Sequence, residues 1–339
     1  MIEILDPRLD CRRLEEIRRA GTRVVDAWAH AFDEYCAMVR LDTELEPLAH
    51  CELERRSRYV FYPWRDVLVR LPDDEIFHRI RTSRNRFLIT DEEQARWSGA
   101  TIAVAGLSVG ASLLHTCALT GARSFRIGDP DVLGPSNLNR LNGSVCDLGV
   151  AKTTLAQRRL LELDPYTTVE TFDRGVGPDD LQRFLTPPGG PGADVVLEEV
   201  DDLAMKVAIR RAARAAAVPL IMVTDDGDDV IVDVERYDLE PDYPEFHGMA
   251  GDLGSLSADE LSDPANKIRL AGAIVGPDVS PRVHDALGEV GRSIPSWPQL
   301  GSAATLAGAV GATVARRIVC GGRVPSGRRH VRAGDLVCL

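Results

Sequence analysis

The sequence predicts an α/β protein in which helices cover both faces of a mostly parallel sheet. Short, continuously apolar runs alternate with helical patterns from residue 101 onward, and strands of this kind are typical of parallel sheets buried on both faces. A Gly-containing turn follows the first of these runs and opens a helix. A chain of 339 residues is long enough for one large core and a smaller companion.

Strands are expected wherever an apolar run is bounded by polar or turn residues. These runs are, in chain order, TIAVAG, SFRIGD, TVETF, ADVVLEE, PLIMVT and DVIVDVER. Helices are expected between them: from the Gly-containing turn to about Thr120, in the stretch that ends before Asp164, and over 203–217. A helix of small residues over 301–319 should pack tightly against the sheet.

The segments outside this alternating pattern suggest the domain organisation. Residues 1–80 are expected to form a small helical extension, because apolar side chains recur at helical spacing over 12–40. The main domain is expected over 81–320. Within it, 240–300 is rich in Pro, Asp, Gly and Ser and predicts an irregular excursion on the substrate side. A polar tail is expected over 321–339.

Composition excludes several classes of protein. The formal net charge is −12, which argues against a nucleic-acid partner because phosphate backbones favour basic surfaces. No stretch approaches 18 uninterrupted apolar residues, so no membrane partner is expected. Seven cysteines occur without any CxxC pair, which indicates a cytoplasmic protein with free thiols and no tetrathiolate zinc site.

The run VAGLSVGAS places Gly106, Ser108 and Gly110 between a strand and a helix. In this context a Gly-rich turn lets backbone N–H groups approach phosphates at a helix N-terminus. Asp129 ends the next strand, where a carboxylate can accept hydrogen bonds from ribose hydroxyls. The glycine pattern alone also fits an ordinary tight turn or a dinucleotide site, since Ser108 and Ala111 occupy positions where glycines are expected.

A polar set after this loop separates the chain from dehydrogenases. The run DPDVLGPSNLNR contains Asn137 and Arg140, Lys152 opens the following helix, and Asp201 lies in EEVDD. Hydride transfer develops little charge near the phosphates and needs no such set. Attack of a carboxylate on an α-phosphate does need fixed cations and Mg²⁺, because two anions approach and pyrophosphate leaves with extra charge.

These motifs together resemble the ThiF/MoeB/HesA type of the ubiquitin-activating-enzyme-like superfamily. The resemblance runs from Arg84 to about Val234 and is carried by Asn85-Arg86, GLSVGA, DPDVLGPSNLNR, GVAK and LEEVDD. It implies a Rossmann-like domain and an ATP- and Mg²⁺-dependent adenylyltransferase that activates a carboxylate as an acyl-adenylate. It also implies a homodimer.

The resemblance assigns parts of the nucleotide to individual side chains. The roles that it implies are ribose binding for Asp129, phosphate or Mg²⁺ binding for Asn137, triphosphate contacts for Arg140 and Lys152, Mg²⁺ ligation for Asp201, and a γ-phosphate contact for Arg86. Arg86 is expected to reach from the other subunit, and Asp131 is expected to shape the turn after its strand. A solvated loop arginine stays an alternative for Arg140, and a helix N-cap stays one for Asp201.

The chain also departs from this family. EEVDD replaces a CTDN-like sequence and adds Glu198, Glu199 and Asp202, which could repel a triphosphate. Residues 147–319 contain no cysteine, so no enzyme thioester is expected and an external or intramolecular nucleophile should attack the adenylate directly. Cys146 is interpreted as a spare loop thiol.

Several functional questions stay open at this level. A catalytically inactive nucleotide-binding scaffold or sensor is one alternative to the adenylyltransferase, and an NAD(P)-dependent oxidoreductase is another. The substrate could be a peptide or protein C-terminus or a small acid. Similarity to a bacterial ThiF-type subgroup, some of whose members are joined to a nitroreductase-like domain, leaves room for a separate redox partner. His247 is either a substrate contact or a structural residue, and Lys206 is expected to pair with Asp202.

Overall fold

The structure is a computed structural model that describes residues 1–42, 48–251, 253 and 256–337. The described residues form two compact units. The first unit comprises Met1–Asp91 together with Leu161–Thr167, and the second comprises Glu92–Leu160 together with Thr168–Leu339. The motifs of the sequence analysis fall in the second unit, apart from Asn85 and Arg86.

Strands and helices occur in both units. The strands are β1 (Glu3–Leu5), β2 (Arg23–Asp26), β3 (Ser57–Tyr62), β4 (Val67–Pro72), β5 (Thr101–Ala105), β6 (Ser124–Gly128), β7 (Thr168–Phe172), β8 (Val195–Glu198), β9 (Leu220–Asp226), β10 (Asp229–Glu235) and β11 (Gly327–Val331). The helices are α1 (Cys11–Arg19), α2 (Trp28–Leu41), α3 (His50–Arg55), α4 (Asp74–Thr82), α5 (Asp91–Gly99), α6 (Val109–Leu119), α7 (Lys152–Leu163), α8 (Leu181–Leu185), α9 (Leu203–Ala215), α10 (Ala258–Ser262), α11 (Pro264–Val275), α12 (Pro281–Leu287), α13 (Gly301–Val319) and α14 (Ala333–Val337).

The second unit is built on a seven-stranded sheet in the order β11-β10-β9-β8-β5-β6-β7. The five strands from β9 to β7 pair in parallel, whereas β10 and β11 are antiparallel. The predicted α/β class and mostly parallel sheet are therefore confirmed. Strand order reverses between β5 and β8, which is where ligands bind at the carboxyl ends of strands in such sheets.

Helices cover both faces of this sheet, as its apolar strands require. On one face α13 lies against α6 so closely that a Cβ atom at Gly308 would lie 2.8 Å from the Ser112 carbonyl oxygen. This confirms the tight packing expected for the small-residue helix. On the other face α9 buries Ile209 and Ala213 in one core cluster with Ala103 of β5. The carboxyl edge of the sheet stays available for a site.

The first unit corrects the expectation of a helical extension. It contains a four-stranded sheet in the order β1-β3-β4-β2. The single helix predicted over 12–40 is wrong, because α1 and α2 are separated by Gly21, with φ of +86°, and by β2. Val24 and Val25 of β2 pair with β4, and such β-branched residues favour strands.

Two other segments are more regular than expected. The excursion over 240–300 carries α10, α11 and α12. The tail over 321–339 contributes β11, which pairs with β10. Arg328 anchors this strand, since its Nε and Nη2 atoms donate to the two carboxylate oxygens of Asp233 at 2.7 and 2.9 Å. No helix in the described ranges combines the length and the apolar character needed to cross a membrane.

Candidate active site

The Gly-containing turn lies between β5 and α6. Gly106 has φ of +89°, and a Cβ atom there would lie 2.3 Å from the Glu199 carbonyl oxygen, so only glycine fits. Ser108 occupies the N-cap position of α6 but makes no side-chain cap hydrogen bond. Backbone N–H groups in the first turn of α6 are therefore not capped by that hydroxyl, and such groups bind anions at helix N-termini.

Asp129 connects the end of β6 to this turn. Its side chain is buried, and its Oδ2 atom accepts from the Leu107 N–H at 2.6 Å. Its Oδ1 atom accepts from the Asp131 N–H at 2.8 Å. These two bonds hold the carboxylate in one orientation beside the turn. Ribose binding by Asp129 stays a prediction.

Lys152 is the first residue of α7, and its ammonium group is buried among carboxylates. Nζ lies 2.8 Å from Asp131 Oδ2 and 3.5 Å from Asp129 Oδ1. The sequence analysis assigned Asp131 only a turn-shaping role and missed this ion pair. Asp131 is exposed at its carboxylate, so an anionic ligand can compete with it for Lys152.

Asn137 and Arg140 belong to the loop between β6 and α7. Asn137 Oδ1 accepts from the Gly134 N–H at 2.9 Å, and Arg140 Nη1 donates to the Ser136 carbonyl at 3.0 Å. Burial lowers the pKa of Arg140, while the charges of Asp225 and then Asp201 act against this. Arg140 therefore lies within electrostatic range of Asp201.

The four acidic residues of the EEVDD segment have different surroundings. Asp202 is the N-cap of α9 and accepts from the Met205 N–H at 2.9 Å, so the alternative that Asp201 caps this helix is wrong. Asp201 is exposed at the bend before α9. Glu198 is fully buried and pairs with Lys206 at 3.0 Å, a partner on the neighbouring strand that the sequence did not predict.

Two of the extra carboxylates, Glu198 and Glu199, have partners within the protein. Burial acts to raise the pKa of Glu198, but Lys206 and Arg210 outweigh it, and the pKa lies below its usual value. Burial raises the pKa of Glu199 well above its usual range, and its Oε1 atom accepts from the Val223 N–H at 2.8 Å. Glu198 is thus paired with cations, and burial disfavours the charged form of Glu199.

These elements surround a cleft of about 380 Å³ at the carboxyl edge of the sheet. Its lining residues are Gly106, Ser108, Gly128, Asp129, Pro130, Asp131, Lys152, Arg174, Gly175, Val176, Glu199, Val200, Asp201, Asp202 and Met205. The structure thus brings together five of the predicted site residues: Gly106, Ser108, Asp129, Lys152 and Asp201. Arg140 lines a second, largely apolar cavity of about 340 Å³ that shares Lys152. Neither cavity includes Asn137 or Gly110 among its lining residues.

Sequence reasoning missed part of this lining. Arg174 and Val176 follow β7 directly, at the same edge as Asp129. Their position after a parallel strand was the available signal, since the carboxyl ends of parallel strands share one edge. Gly110 lies behind the cleft, where a Cβ atom would meet Val104 Cγ1 at 3.3 Å.

Arg86 belongs to the first unit. Its Nη1 atom donates to Asp42, and its Nη2 atom lies 3.4 Å from Asp91 Oδ2. The hydrogen bond with Asp42 raises the pKa of the guanidinium. A γ-phosphate contact from Arg86 stays a prediction.

His247 has a structural explanation. Its Nε2 atom lies 2.8 Å from Asp233 Oδ1, and its Nδ1 atom lies 3.0 Å from the Tyr243 hydroxyl. Both ring nitrogens are therefore engaged within the protein. Phe246 and His247 have φ of +50° and +58°, so the backbone accepts an unfavourable conformation in placing this ring. The geometry favours a structural residue over a substrate contact.

Asp201 is the residue of the cleft that could ligate Mg²⁺. Mg²⁺ is usually held by one or two carboxylates together with water and substrate phosphates. Asp201 presents an exposed carboxylate in the same cleft as the turn at the start of α6. This donor set fits Mg²⁺ bound to a nucleotide.

Comparison with known proteins assigns the central part of the chain to a family. Residues 82–225 match the model of the ThiF family, so this stretch is a ThiF-family segment and the resemblance read from the motifs is confirmed. The chain is 39% identical over 283 residues to the uncharacterized protein MT1398 of Mycobacterium tuberculosis (strain CDC 1551 / Oshkosh), covering 82% of this chain and 38% of that protein.

Two further similarities concern a second relative and a solved structure. The chain is 26% identical over 181 residues to ubiquitin-like modifier-activating enzyme 5 of Arabidopsis thaliana, covering 50% of this chain and 40% of that protein. It therefore spans less than half the length of these two curated relatives. The crystal structure of E. coli MccB with MccA-N7isoASN aligns with a TM-score of 0.51 at 16% identity, covering 71% of this chain and 64% of that one. This last similarity is one of fold.

Proposed function

We propose that the chain is an ATP- and Mg²⁺-dependent adenylyltransferase that activates a carboxylate as an acyl-adenylate. The observation that carries this proposal is one cleft that combines the Gly106 turn with Asp129, Lys152 and Asp201. An anion-binding turn, a buried ammonium and an exposed carboxylate are the groups that a magnesium nucleotide requires. Similarity to a ubiquitin-like modifier-activating enzyme supports the same chemistry.

The nucleotide would lie across the switch point of the sheet. Asp129 would accept from the ribose hydroxyls, and the first turn of α6 would bind phosphate. Val176, Val200 and Met205 line the cleft and would contact the adenine ring. Gly106 is required there because any side chain would collide with the Glu199 carbonyl.

The chemical step is attack of a substrate carboxylate oxygen on the α-phosphorus, with pyrophosphate as the leaving group. Lys152 and Arg140 would compensate the charge that develops on the phosphate oxygens. When bound by Asp201, Mg²⁺ would neutralise further phosphate charge. The ion pair of Lys152 with exposed Asp131 keeps the buried ammonium compensated until the nucleotide binds.

We further propose that no enzyme thioester forms. Residues 147–319 contain no cysteine, and Cys117 is fully buried with a raised pKa. Cys146 is exposed in the loop that leads to α7, and it is not among the residues that line the cleft. The activated acyl group would pass directly to another nucleophile.

The assembly and substrate belong to the same proposal. A homodimer in which Arg86 reaches the γ-phosphate of the partner's site would complete the set of cations. The carboxylate would come from a peptide or protein C-terminus or a small acid, and a separate redox partner would act on the product. We expect these reactions in the cytoplasm.

The test is ATP–pyrophosphate exchange against a panel of peptides with free C-termini and small organic acids. Exchange should require Mg²⁺ and a free carboxylate, so that C-terminally amidated peptides stay inactive. Lys152→Ala and Asp201→Ala should each abolish it, whereas Asp179→Ala, which removes an exposed carboxylate outside the cleft, should not. Exchange that survives both site variants would overturn the proposal.

The absence of a thioester has its own test. The carboxylate that supports exchange is supplied in radiolabelled form, and the protein is then denatured without thiols. No thiol-labile label should stay on the chain, and Cys146→Ala should turn over like the wild type. A label that is released by thiols and lost in Cys146→Ala would contradict the direct route.

A further inference from the structure

The hairpin between β9 and β10 carries four aspartates, of which one differs from the rest. Three accept hydrogen bonds at 2.5–2.8 Å, namely Asp226 from the Ser280 N–H, Asp228 from the Ser302 hydroxyl and Asp229 from the Ala333 N–H. In this hairpin Asp225 is only 4% exposed, and neither of its carboxylate oxygens has a partner among the described residues within the usual hydrogen-bond distance and angle. The Gln299 side chain supplies only a looser hydrogen bond. A buried carboxylate without bonds of normal geometry is costly and calls for a functional explanation.

Asp225 lies at the carboxyl edge of the sheet, close to the proposed site. Strand order places Asp129 after β6, Gly106 after β5, Asp201 after β8 and Asp225 at the end of β9. Asp225 is therefore on the far side of Asp201 from the ribose position. It acts electrostatically on Arg140 and on Glu199, and Glu199 lines the cleft.

The second step of the proposed reaction needs a proton acceptor. If no enzyme thiol takes the acyl group, an outside nucleophile attacks the adenylate and must lose a proton there. Three carboxylates that line the cleft already have partners, because Asp129 accepts from backbone N–H groups, Asp131 pairs with Lys152 and Asp202 caps α9. Asp225 lies outside this lining and has only the looser hydrogen bond from Gln299.

We propose that Asp225 is the general base for an amine that attacks the acyl-adenylate, so that the enzyme forms an amide; this rests on the proposed adenylyltransferase function. The uncharged amine forms a C–N bond to the carbonyl carbon, and its nitrogen becomes positively charged. Asp225 takes the N–H proton, the C–O bond to AMP breaks with its electron pair, and AMP leaves. Asp225 then releases the proton to solvent, which balances the reaction.

The surroundings of Asp225 favour an amine over other nucleophiles. A carboxylate repels a thiolate or a phosphate, whereas it stabilises a nitrogen that gains positive charge during attack. Burial raises the pKa of Asp225 to about 6, with Gln299 and Arg140 acting against the rise, and a base that titrates near neutral pH is effective in proton transfer. Gln299 and Arg140 both belong to loops and not to the sheet.

The test compares two nucleophiles in Asp225→Asn, with the carboxylate that supports pyrophosphate exchange in the wild type. Hydroxylamine is uncharged at neutral pH and needs little help, whereas glycinamide depends on a base. Asp225→Asn should keep exchange and hydroxamate formation but lose glycinamide coupling by about 100-fold or more. The matched control, Asp226→Asn, should couple both nucleophiles at equal relative rates.

Thermal unfolding supplies a readout that needs no substrate. At pH 7.5 Asp225→Asn should unfold at or above the wild-type temperature, because it removes a buried charge. Asp226→Asn should unfold at a lower temperature, because it weakens the bond with the Ser280 N–H. If the unfolding temperature of Asp225→Asn fell as far as that of Asp226→Asn, Asp225 would have a structural role and the proposal would be overturned.

The remaining outcomes distinguish failure of the general-base role from failure of the proposed adenylyltransferase function. Glycinamide coupling at the wild-type rate in Asp225→Asn would overturn the general-base role while leaving adenylation intact. Loss of exchange itself in this variant would place Asp225 in the first step and also overturn it. Exchange absent across the whole panel in the wild type would contradict the adenylyltransferase function, and this inference would fall with it.

Discussion

Two groups of charged side chains in the second unit both include residues of the segment from Glu198 to Asp202. One group is buried within the protein, and the other is exposed at a cleft. On the face of the sheet, Arg210 is fully buried between Glu198 at 2.5 Å and Glu235 at 2.9 Å. Its guanidinium also stacks over the Phe246 ring at 3.7 Å. At the carboxyl edge, Asp201 is exposed and borders an open cleft.

The difference shows how burial and pairing separate structural charge from charge available to a ligand. The buried group has its charges matched inside the protein, so it can be removed only at a cost in stability. At the cleft, the Lys152 pair includes the exposed carboxylate of Asp131, and Asp201 faces solvent. Charges of the second kind can exchange their partners for a nucleotide at little cost in folding.

The largest effect on stability is expected for Arg210→Met. The change leaves Glu198 and Glu235 buried without their shared cation, and breaking a buried pair in this way costs about 3–5 kcal/mol. Urea unfolding should show this fall in the free energy of unfolding. The exposed Arg282→Met should change it by less than about 0.5 kcal/mol. A wild-type value for Arg210→Met would mean that the sheet-face charges do not hold the fold.

The next effect is the pH dependence that Asp225 contributes. Its pKa is raised from 3.8 to about 6 in the folded protein, so the folded state binds more protons than the unfolded state between these values. The stability from this group therefore falls as pH rises from about 4 to about 6 and then stays level. Two pKa units correspond to about 3 kcal/mol. The free energy of unfolding of Asp225→Asn minus that of the wild type should rise between about pH 4 and about pH 6. A difference that does not change with pH would contradict the raised pKa.

Much of the second unit could be predicted because its signals are local. Each strand from β5 to β10 lies within a predicted apolar run, and α13 begins and ends at the residues predicted for the small-residue helix. The GLSVGA turn could be placed because only glycine fits at Gly106. Similar local reasoning failed in the first unit, where helical spacing continues across Gly21 and hides β2.

The side-chain partners could not be predicted because they depend on pairs far apart in the chain. Lys206 was expected to pair within its helix, but it reaches Glu198 on the neighbouring strand. Nothing in the run TDDGDD distinguishes Asp225 from Asp226, and only the packing of the loop with Ser280 does so. Sequence spacing thus located the cleft, while long-range contacts decided which charges stay available in it.

A smaller effect is expected for Asp202→Ala, which removes the N-cap of α9. The Oδ1 atom accepts from the Met205 N–H, and loss of such a cap costs about 1 kcal/mol. Asp202→Ser should recover most of the loss, because serine caps helices well. Urea unfolding of both variants measures this. Equal stability of the alanine and serine variants would show that the lost carboxylate matters through charge and not through capping.

The smallest effect on stability is expected for Asp201→Ala, one residue away. Its carboxylate is exposed at the bend and the N-cap is supplied by its neighbour, so the free energy of unfolding should change by less than about 0.5 kcal/mol. Pyrophosphate exchange should nevertheless be lost, since Asp201 is the proposed Mg²⁺ ligand. A stable but inactive Asp201→Ala beside an unstable Arg210→Met would set the two groups of charges apart. Destabilisation of Asp201→Ala by as much as the cap variant would instead place Asp201 with the structural charges, because an exposed carboxylate that binds only ligand has no partner in the folded chain to lose.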